Sequence, residues 1–107
     1  MHRLPPALAA SATLRVLELL GDPPGRALEL GFAGIYARPL EPAGWDVEVV
    51  EPDPAHAARA RERGARCLER AVGRYDAVVA HAGTDLAGIE AAKIVLVDEH
   101  RVASMSG

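Results

Sequence analysis

Residues 26–37 read RALELGFAGIYA, an apolar run that stops at a glycine and continues as a small-residue turn. The run Arg26–Leu30 has the composition of a buried strand, and Gly31 ends it. A glycine-rich turn after such a strand lets the backbone approach a ligand, and the N–H groups at the start of a following helix favour an anion. The segment therefore predicts the first strand of an open parallel sheet and one part of a ligand site.

Three further apolar runs follow, each separated by a helical or turn-rich segment. They are Asp46–Val50, Tyr75–Ala80 and Lys93–Val97. Near-continuous Val, Ile and Leu is typical of strands buried on both faces of a parallel sheet. The pattern predicts one α/β domain of the Rossmann-like, three-layer class. Its mainly parallel sheet has four to five strands in the order 3-2-1-4-5, with helices on both faces.

The connections between the strands predict helices of unequal length. The best marked spans 53–64, where Asp53 stands in the N-cap position and a proline follows it. Two prolines limit the segment 35–43 to a turn or two of helix. Helices are also predicted over 7–20 and 84–92.

The segment 65–69 lies where such folds place the outermost third strand. The next strand begins three strand spacings away, roughly 14 Å, whereas residues 70–74 reach at most about 17–18 Å and must also return down the sheet. We therefore predict a rudimentary edge strand of two or three residues there, or an extended loop. The tail 100–107 is expected either to pair as a short edge strand or to fray.

Length and composition limit the organisation and the partners. The 107 residues predict a single domain, 1–107, in which 1–25 is an N-terminal helix and linker. A formal net charge of −3 gives no bulk attraction to nucleic acid or to anionic membranes, so neither is expected as a partner. The histidines lack metal-ligand spacing, so no metal is expected. The single cysteine, Cys67, predicts no intramolecular disulfide and indicates a cytoplasmic protein.

A carboxylate follows the second apolar run. Glu51 stands about 20 residues after Gly31 in the sequence, the separation expected for an acid that accepts hydrogen bonds from both hydroxyls of a ribose. Ligands of open parallel sheets bind beyond the carboxyl ends of the strands, where the strand order reverses. A nucleoside site is therefore predicted at this edge, although Glu51 could equally be a solvated acid ahead of the Asp53 cap.

With these residues the chain resembles the class I S-adenosylmethionine-dependent methyltransferase superfamily. The first motif of that family is an acid, an apolar residue and then G-x-G-x-G, whose opening Glu29, Leu30 and Gly31 match. Ala33 and Ile35 replace its second and third glycines. The resemblance continues through GWDVEVVEPDPAHAARARERGA, similar to the second strand and helix of the family, and YDAVVAHAG, similar to its fourth strand.

The resemblance implies S-adenosylmethionine or a related small nucleoside as the ligand. The residues it implies for cofactor binding are Glu29, Gly31, Phe32, Gly34, Glu51, Asp53 and His81. The catalytic residue is not determined, and His81, at the end of the fourth strand, is the candidate. A structural role is the alternative for each: Glu29 could pair with Arg26 or face solvent, and His81 could simply be hydrogen-bonded.

Three hypotheses about function stay open. The first is a small methyltransferase-like protein, either a minimal enzyme or a degenerate one, in which a homodimer could complete the pocket. The second is a non-catalytic interaction or regulatory module that has lost the cofactor. The third is an NAD- or other nucleotide-binding domain that uses the same crevice. The sequence does not identify a methyl acceptor.

Overall fold

The computed structural model describes residues 15–97 and 102–106. Its centre is a six-stranded sheet. The strands are β1 (Gly25–Leu30), β2 (Trp45–Val50), β3 (Arg66–Leu68), β4 (Arg74–His81), β5 (Glu90–Val97) and β6 (Val102–Ser106). They lie in the order β3-β2-β1-β4-β5-β6; every neighbouring pair is parallel except β5 and β6, which are antiparallel. The predicted fold class and the order 3-2-1-4-5 are confirmed.

Three helical segments accompany the sheet: α1 (15–20), α2 (Ala37–Ala43) and α3 (Pro54–Glu62). Asp53 caps α3 as predicted, because its Oδ1 accepts the N–H groups of Ala55 at 2.9 Å and His56 at 3.2 Å. Helix α2 is seven residues long, in agreement with the turn or two predicted. Of the predicted helix 7–20, residues 7–14 lie outside the described part of the chain, as do 98–101 and 107 at the tail.

The outermost strand, β3, contains only three residues. Its partner is the end of β2, where Val49 is aligned with Cys67. The prediction of a rudimentary third strand is confirmed, and so is its reason: the short segment that follows must return across the sheet to Arg74, where β4 begins. Within the tail, pairing of 102–106 with β5 shows that the edge-strand alternative is the correct one.

The two faces of the sheet are covered differently. One face packs against α1 and α2 through Val16, Leu20 and Leu40. Helix α3 lies on the same side, since the Cys67 Sγ on that face is 3.8 Å from a carbonyl oxygen of α3. The opposite face, which we call the loop-covered face, is a second apolar cluster that includes Leu28, Val78 and Ile94. Within the described chain, loops cover this face rather than the expected helices, because the segments after β3 and β4 do not form helices.

The predicted helix 84–92 is wrong. Residues 82–89 form turns, with Gly83 at φ +86° and Gly88 at φ +79°, values that break a helix. The Asp85 side chain accepts the N–H of Ala87, two residues ahead, at 2.9 Å, and this local bond competes with helix formation. The loop still buries apolar side chains, because Leu86 and Ile89 pack on the loop-covered face. Thr84 or Asp85 as an N-cap therefore indicated the wrong element.

The substitution Gly88→Ala distinguishes these two conformations by the sign of its effect. In a helix, alanine would stabilise by about 1 kcal/mol relative to glycine. At φ +79°, with open space around the new Cβ, we expect a loss of about 1–2 kcal/mol from backbone strain alone. Urea denaturation measures the change, and a gain in stability would contradict the loop.

Candidate functional site

A cavity of about 440 Å³ opens at the carboxyl edge of the sheet. The ends of β1, β2 and β4 form its floor, through Gly31, Val50 and His81. Residues 69–71, which follow β3, and the loop 84–89 supply its walls. The cavity thus lies where the strand order reverses between β1 and β4, the position that open parallel sheets use for ligands.

The turn after β1, which we call the glycine bend (residues 31–35), has three residues with positive φ. Gly31 has φ +80° and Gly34 has φ +84°, and Ala33 adopts φ +55° although it has a Cβ. Left-handed backbone costs a non-glycine residue about 1–2 kcal/mol. The second glycine of the bend is therefore Gly34, one position later than in the G-x-G-x-G motif. The Ile35 side chain is 52% exposed and does not line the cavity.

Glu51 joins the glycine bend to the turn after β2. Its Oε1 accepts the N–H of Ala33 at 3.1 Å, and its Oε2 accepts the N–H of Asp53 at 3.1 Å. The Gly31 N–H also donates to the Val50 carbonyl at 2.9 Å. The two turns are thus held together by one carboxylate and one backbone bond.

Glu29 lies completely buried beneath the bend, with 0% exposure. Its Oε1 accepts the Tyr36 N–H at 3.1 Å, at the start of α2, whereas Oε2 has no partner within the described ranges. Burial raises the pKa of Glu29 to about 7, opposed by backbone N–H groups and reinforced by the nearby Glu51 carboxylate. Glu29 therefore neither faces solvent nor pairs with Arg26, which binds Glu48 instead.

His81 covers the glycine bend from β4. Its Nε2 is 2.9 Å from the Gly31 carbonyl oxygen, and its ring stacks on Phe32 with centroids 3.9 Å apart. Because a carbonyl oxygen only accepts, Nε2 must carry the proton in this contact, which leaves Nδ1 as the second polar atom of the ring. Phe32 in turn meets the Tyr36 ring edge-on, at 4.9 Å.

The structure brings some of the predicted site residues to the cavity and places others behind it. Gly31 and His81 line the cavity, and Glu51 follows the lining residue Val50 with its carboxylate directed at the bend. Four others do not line the cavity, namely Glu29, Phe32, Gly34 and Asp53. Of these, Gly34 faces α3 and lines a separate, smaller cavity.

Sequence reasoning missed the walls of the cavity. Glu69, Arg70 and Ala71 form one wall, and residues of the loop 84–89 form the other. A signal was present, because both segments directly follow the carboxyl ends of strands, where ligands of this class of sheet bind. Because 84–92 was expected to form a helix, its loop was not predicted to line the cavity.

Two negative findings apply to the described residues. Over 15–97 and 102–106, no group of three His, Cys, Asp or Glu side chains is arranged to hold a metal ion. None of the helices in those same ranges has the length and apolarity needed to cross a membrane.

No protein-family model matches the sequence, and no curated protein does. Solved structures do match. Thermoplasma acidophilum protein 1320 aligns with 84% of this chain at a TM-score of 0.65 and 17% identity. A dimethyladenosine transferase from Plasmodium falciparum aligns with 89% (TM-score 0.63, 14% identity), and the glycopeptide N-methyltransferase MtfA with 90% (TM-score 0.62, 20% identity). The chain has a methyltransferase-like fold.

The chain is shorter than the structures it matches. It spans 58% of the Thermoplasma acidophilum protein, 41% of the dimethyladenosine transferase and 62% of the glycopeptide N-methyltransferase. At such low sequence identity, the similarity to these three proteins is one of fold.

Glu29→Gln tests the buried carboxyl. The pKa of Glu29 is raised from 4.5 to about 7, so the folded protein binds more protons than the unfolded chain between these values. Stability therefore falls as pH rises through that window, by about 3 kcal/mol in total. We expect Glu29→Gln to remove this fall, measured by urea denaturation between pH 5 and 8. The exposed Glu41→Gln is the control and should keep the wild-type slope; equal slopes in all three proteins would contradict the assignment.

Proposed function

We propose that the chain binds S-adenosylmethionine, or its product S-adenosylhomocysteine, in the cavity at the carboxyl edge, as a methyltransferase-like protein. The observation that carries the proposal is the pair of carboxyl groups, Glu29 and Glu51, that accept the N–H groups of the glycine bend and of the start of α2. Their arrangement favours binding of this ligand over binding of a dinucleotide.

A pyrophosphate-binding bend offers unoccupied N–H groups to the anion at a helix start. Here the Ala33 N–H already donates to Glu51 and the Tyr36 N–H to Glu29. A phosphate in the same place would lose those donors and lie beside two carboxyl groups. S-adenosylmethionine carries a sulfonium, an ammonium and one carboxylate, and so has a net positive charge, which the Glu51 carboxylate beside the bend attracts. The geometry therefore favours S-adenosylmethionine over NAD.

Glu51 also retains the capacity to bind a ribose. An ionised carboxylate has about four lone-pair directions, and the N–H groups of Ala33 and Asp53 use two of them. Two remain for ribose hydroxyls, which supports the role proposed from sequence. Gly31 leaves the bend without a side chain where the ligand would approach, and Val50 and Pro52 add apolar surface beside it.

Each of the remaining residues then has a separate task. When bound, S-adenosylmethionine supplies an electrophilic methyl group, so the chain itself must mainly bind, orient and exclude water. Glu29, Phe32 and Gly34 would shape the bend, and Asp53 would hold the turn after β2. His81 is the candidate on the acceptor side, because its ring lines the cavity and is held by Gly31 and Phe32.

The assembly and the location stay predictions. Two of the matched proteins are named for different groups, dimethyladenosine and a glycopeptide, so the matches select no substrate for this chain. A homodimer that completes the pocket, and a cytoplasmic location, are the expectations. The non-catalytic module is the alternative that the ligand experiment addresses.

Thermal-shift titration with S-adenosylmethionine, S-adenosylhomocysteine, NAD and ATP tests the proposal directly. A ligand at about 100 times its Kd stabilises the folded protein by roughly 2.7 kcal/mol. We expect both adenosyl compounds to raise the melting temperature and NAD and ATP to leave it unchanged. A shift only with NAD or ATP would reverse the argument from the two carboxyl groups, and no shift with any of them would favour the interaction module.

Gly31→Ala and Gly64→Ala form a matched pair that locates the ligand. Both glycines have positive φ, +80° and +90°, so both substitutions carry similar backbone strain. At Gly31 the new Cβ would also lie 3.3 Å from the Cδ2 of His81, whereas nothing lies within 4 Å at Gly64. We expect Gly31→Ala to weaken S-adenosylhomocysteine binding at least tenfold in isothermal titration and Gly64→Ala to leave it within twofold. Equal affinities for the two variants would place the ligand elsewhere.

A further inference from the structure

One wall of the cavity is a short segment without regular structure, which we call the strap (residues 69–73). It connects the carboxyl end of β3 to the start of β4. Parallel strands are usually joined by a crossover of a dozen or more residues that includes a helix. The strap has neither the length nor the helix, yet its first three residues, 69–71, line the cavity. Its position therefore decides the shape of the ligand site.

Apolar packing holds the strap only weakly. Ala71 is its one residue packed against the loop-covered face, and its methyl group is small. Val72 has 57% of its surface exposed, so its side chain contributes little burial. The strap must be held by other contacts.

A buried tyrosine supplies such a contact. The Tyr75 hydroxyl accepts the N–H of Val72 at 3.0 Å and donates to the Oε1 of Glu48 at 2.8 Å. Tyr75 has 0% exposure and Glu48 has 4%, so the bond between these two side chains forms away from water, where it is stronger than at the surface. The bond to the Val72 N–H is partly buried. The hydroxyl thus joins the middle of the strap to β2.

Arg26 completes this arrangement from β1. Its Nη2 lies 2.7 and 3.1 Å from the two carboxylate oxygens of Glu48, and its guanidinium lies 4.3 Å from the centroid of the Tyr75 ring. Its Nη1 donates to the carbonyl of Arg74 at 3.1 Å, directly after the strap. Gly73 passes so close that a Cβ there would lie 3.1 Å from this Nη1. Both the middle and the end of the strap are therefore tied to one polar cluster.

We propose that Tyr75 is a positioning residue of the ligand site, whose hydroxyl holds the strap and thereby the cavity wall formed by residues 69–71. Tyr75 does not touch the ligand. It acts through the Val72 N–H, and Glu48 and Arg26 fix its own orientation. The inference rests on the proposed function for the identity of the ligand, but the tether itself can be measured without any ligand.

Tyr75→Phe removes the hydroxyl and leaves the ring and its contact with Arg26. We expect the Kd for S-adenosylhomocysteine, measured by isothermal titration, to rise about tenfold, and hydrogen exchange at the Val72 amide to accelerate at least tenfold. Val47→Ala is the matched control, because Val47 is buried on the other face of the sheet, which packs against α1 and α2. It should lower the melting temperature while the Kd stays within twofold of wild type.

Three results overturn the proposal. They are a Kd in Tyr75→Phe within twofold of wild type, an equal loss of affinity in Val47→Ala, and unchanged exchange at Val72. If the wild type itself does not bind S-adenosylhomocysteine, the proposed function fails, and the Val72 exchange rate alone decides whether the tether exists.

Glu48→Gln provides a second variant, which also serves if Tyr75→Phe does not fold. It keeps an oxygen to accept from the Tyr75 hydroxyl but removes the charge that faces Arg26. We expect Val72 exchange to stay within threefold of wild type. A larger acceleration would show that the charge of Glu48, rather than the tyrosine hydroxyl, holds the strap, and would overturn the assignment.

Discussion

The structure of the carboxyl edge of the sheet depends on the hydrogen bonds that the Glu51 carboxylate accepts. It binds the N–H of Ala33 on one side and the N–H of Asp53 on the other, and so fixes the turns after β1 and β2 relative to each other. Ala33 is held there in a left-handed conformation at φ +55°, which costs an alanine about 1–2 kcal/mol. A hydrogen bond to a charged acceptor contributes about 1.5–3 kcal/mol, enough to offset that strain. The bend therefore keeps its shape without the second glycine of the family motif.

Polar groups order both edges of a sheet whose interior is apolar. At the carboxyl edge, Glu29 and Glu51 hold the glycine bend and the start of α2. Near the amino edge, Arg26, Glu48 and Tyr75 hold the strap. These clusters matter because loops, rather than helices, cover the second face of the sheet in the described chain. The wall formed by the strap is held by hydrogen bonds that originate in the strands, whereas the wall formed by residues 84–89 packs on the sheet through Leu86 and Ile89.

The fold and the chemistry of the bend support the proposed ligand in different ways. Structural similarity at 14–20% identity establishes a methyltransferase-like arrangement of strands and nothing finer. The preference for a positively charged nucleoside comes instead from two carboxyl groups that already occupy the donors a phosphate would need. The chain spans 41–62% of the matched structures.

Short-range patterns in the sequence were sufficient for the parallel strands, the three-residue β3 and the Asp53 cap, because each depends on local composition or on how far a few residues can reach. The strand order followed from the fold class that the alternating strands and helices indicate. They also located Gly31, Glu51 and His81 at one edge, since the carboxyl ends of parallel strands must meet there. Tertiary structure alone decided that Glu29 is buried under the bend and that the strap forms a cavity wall. Those outcomes depend on partners 7 to 48 residues away, such as Tyr36 for Glu29 and Arg26 for the Arg74 carbonyl beside the strap. Such contacts exist only once the sheet has brought the segments together, and no local pattern encodes them.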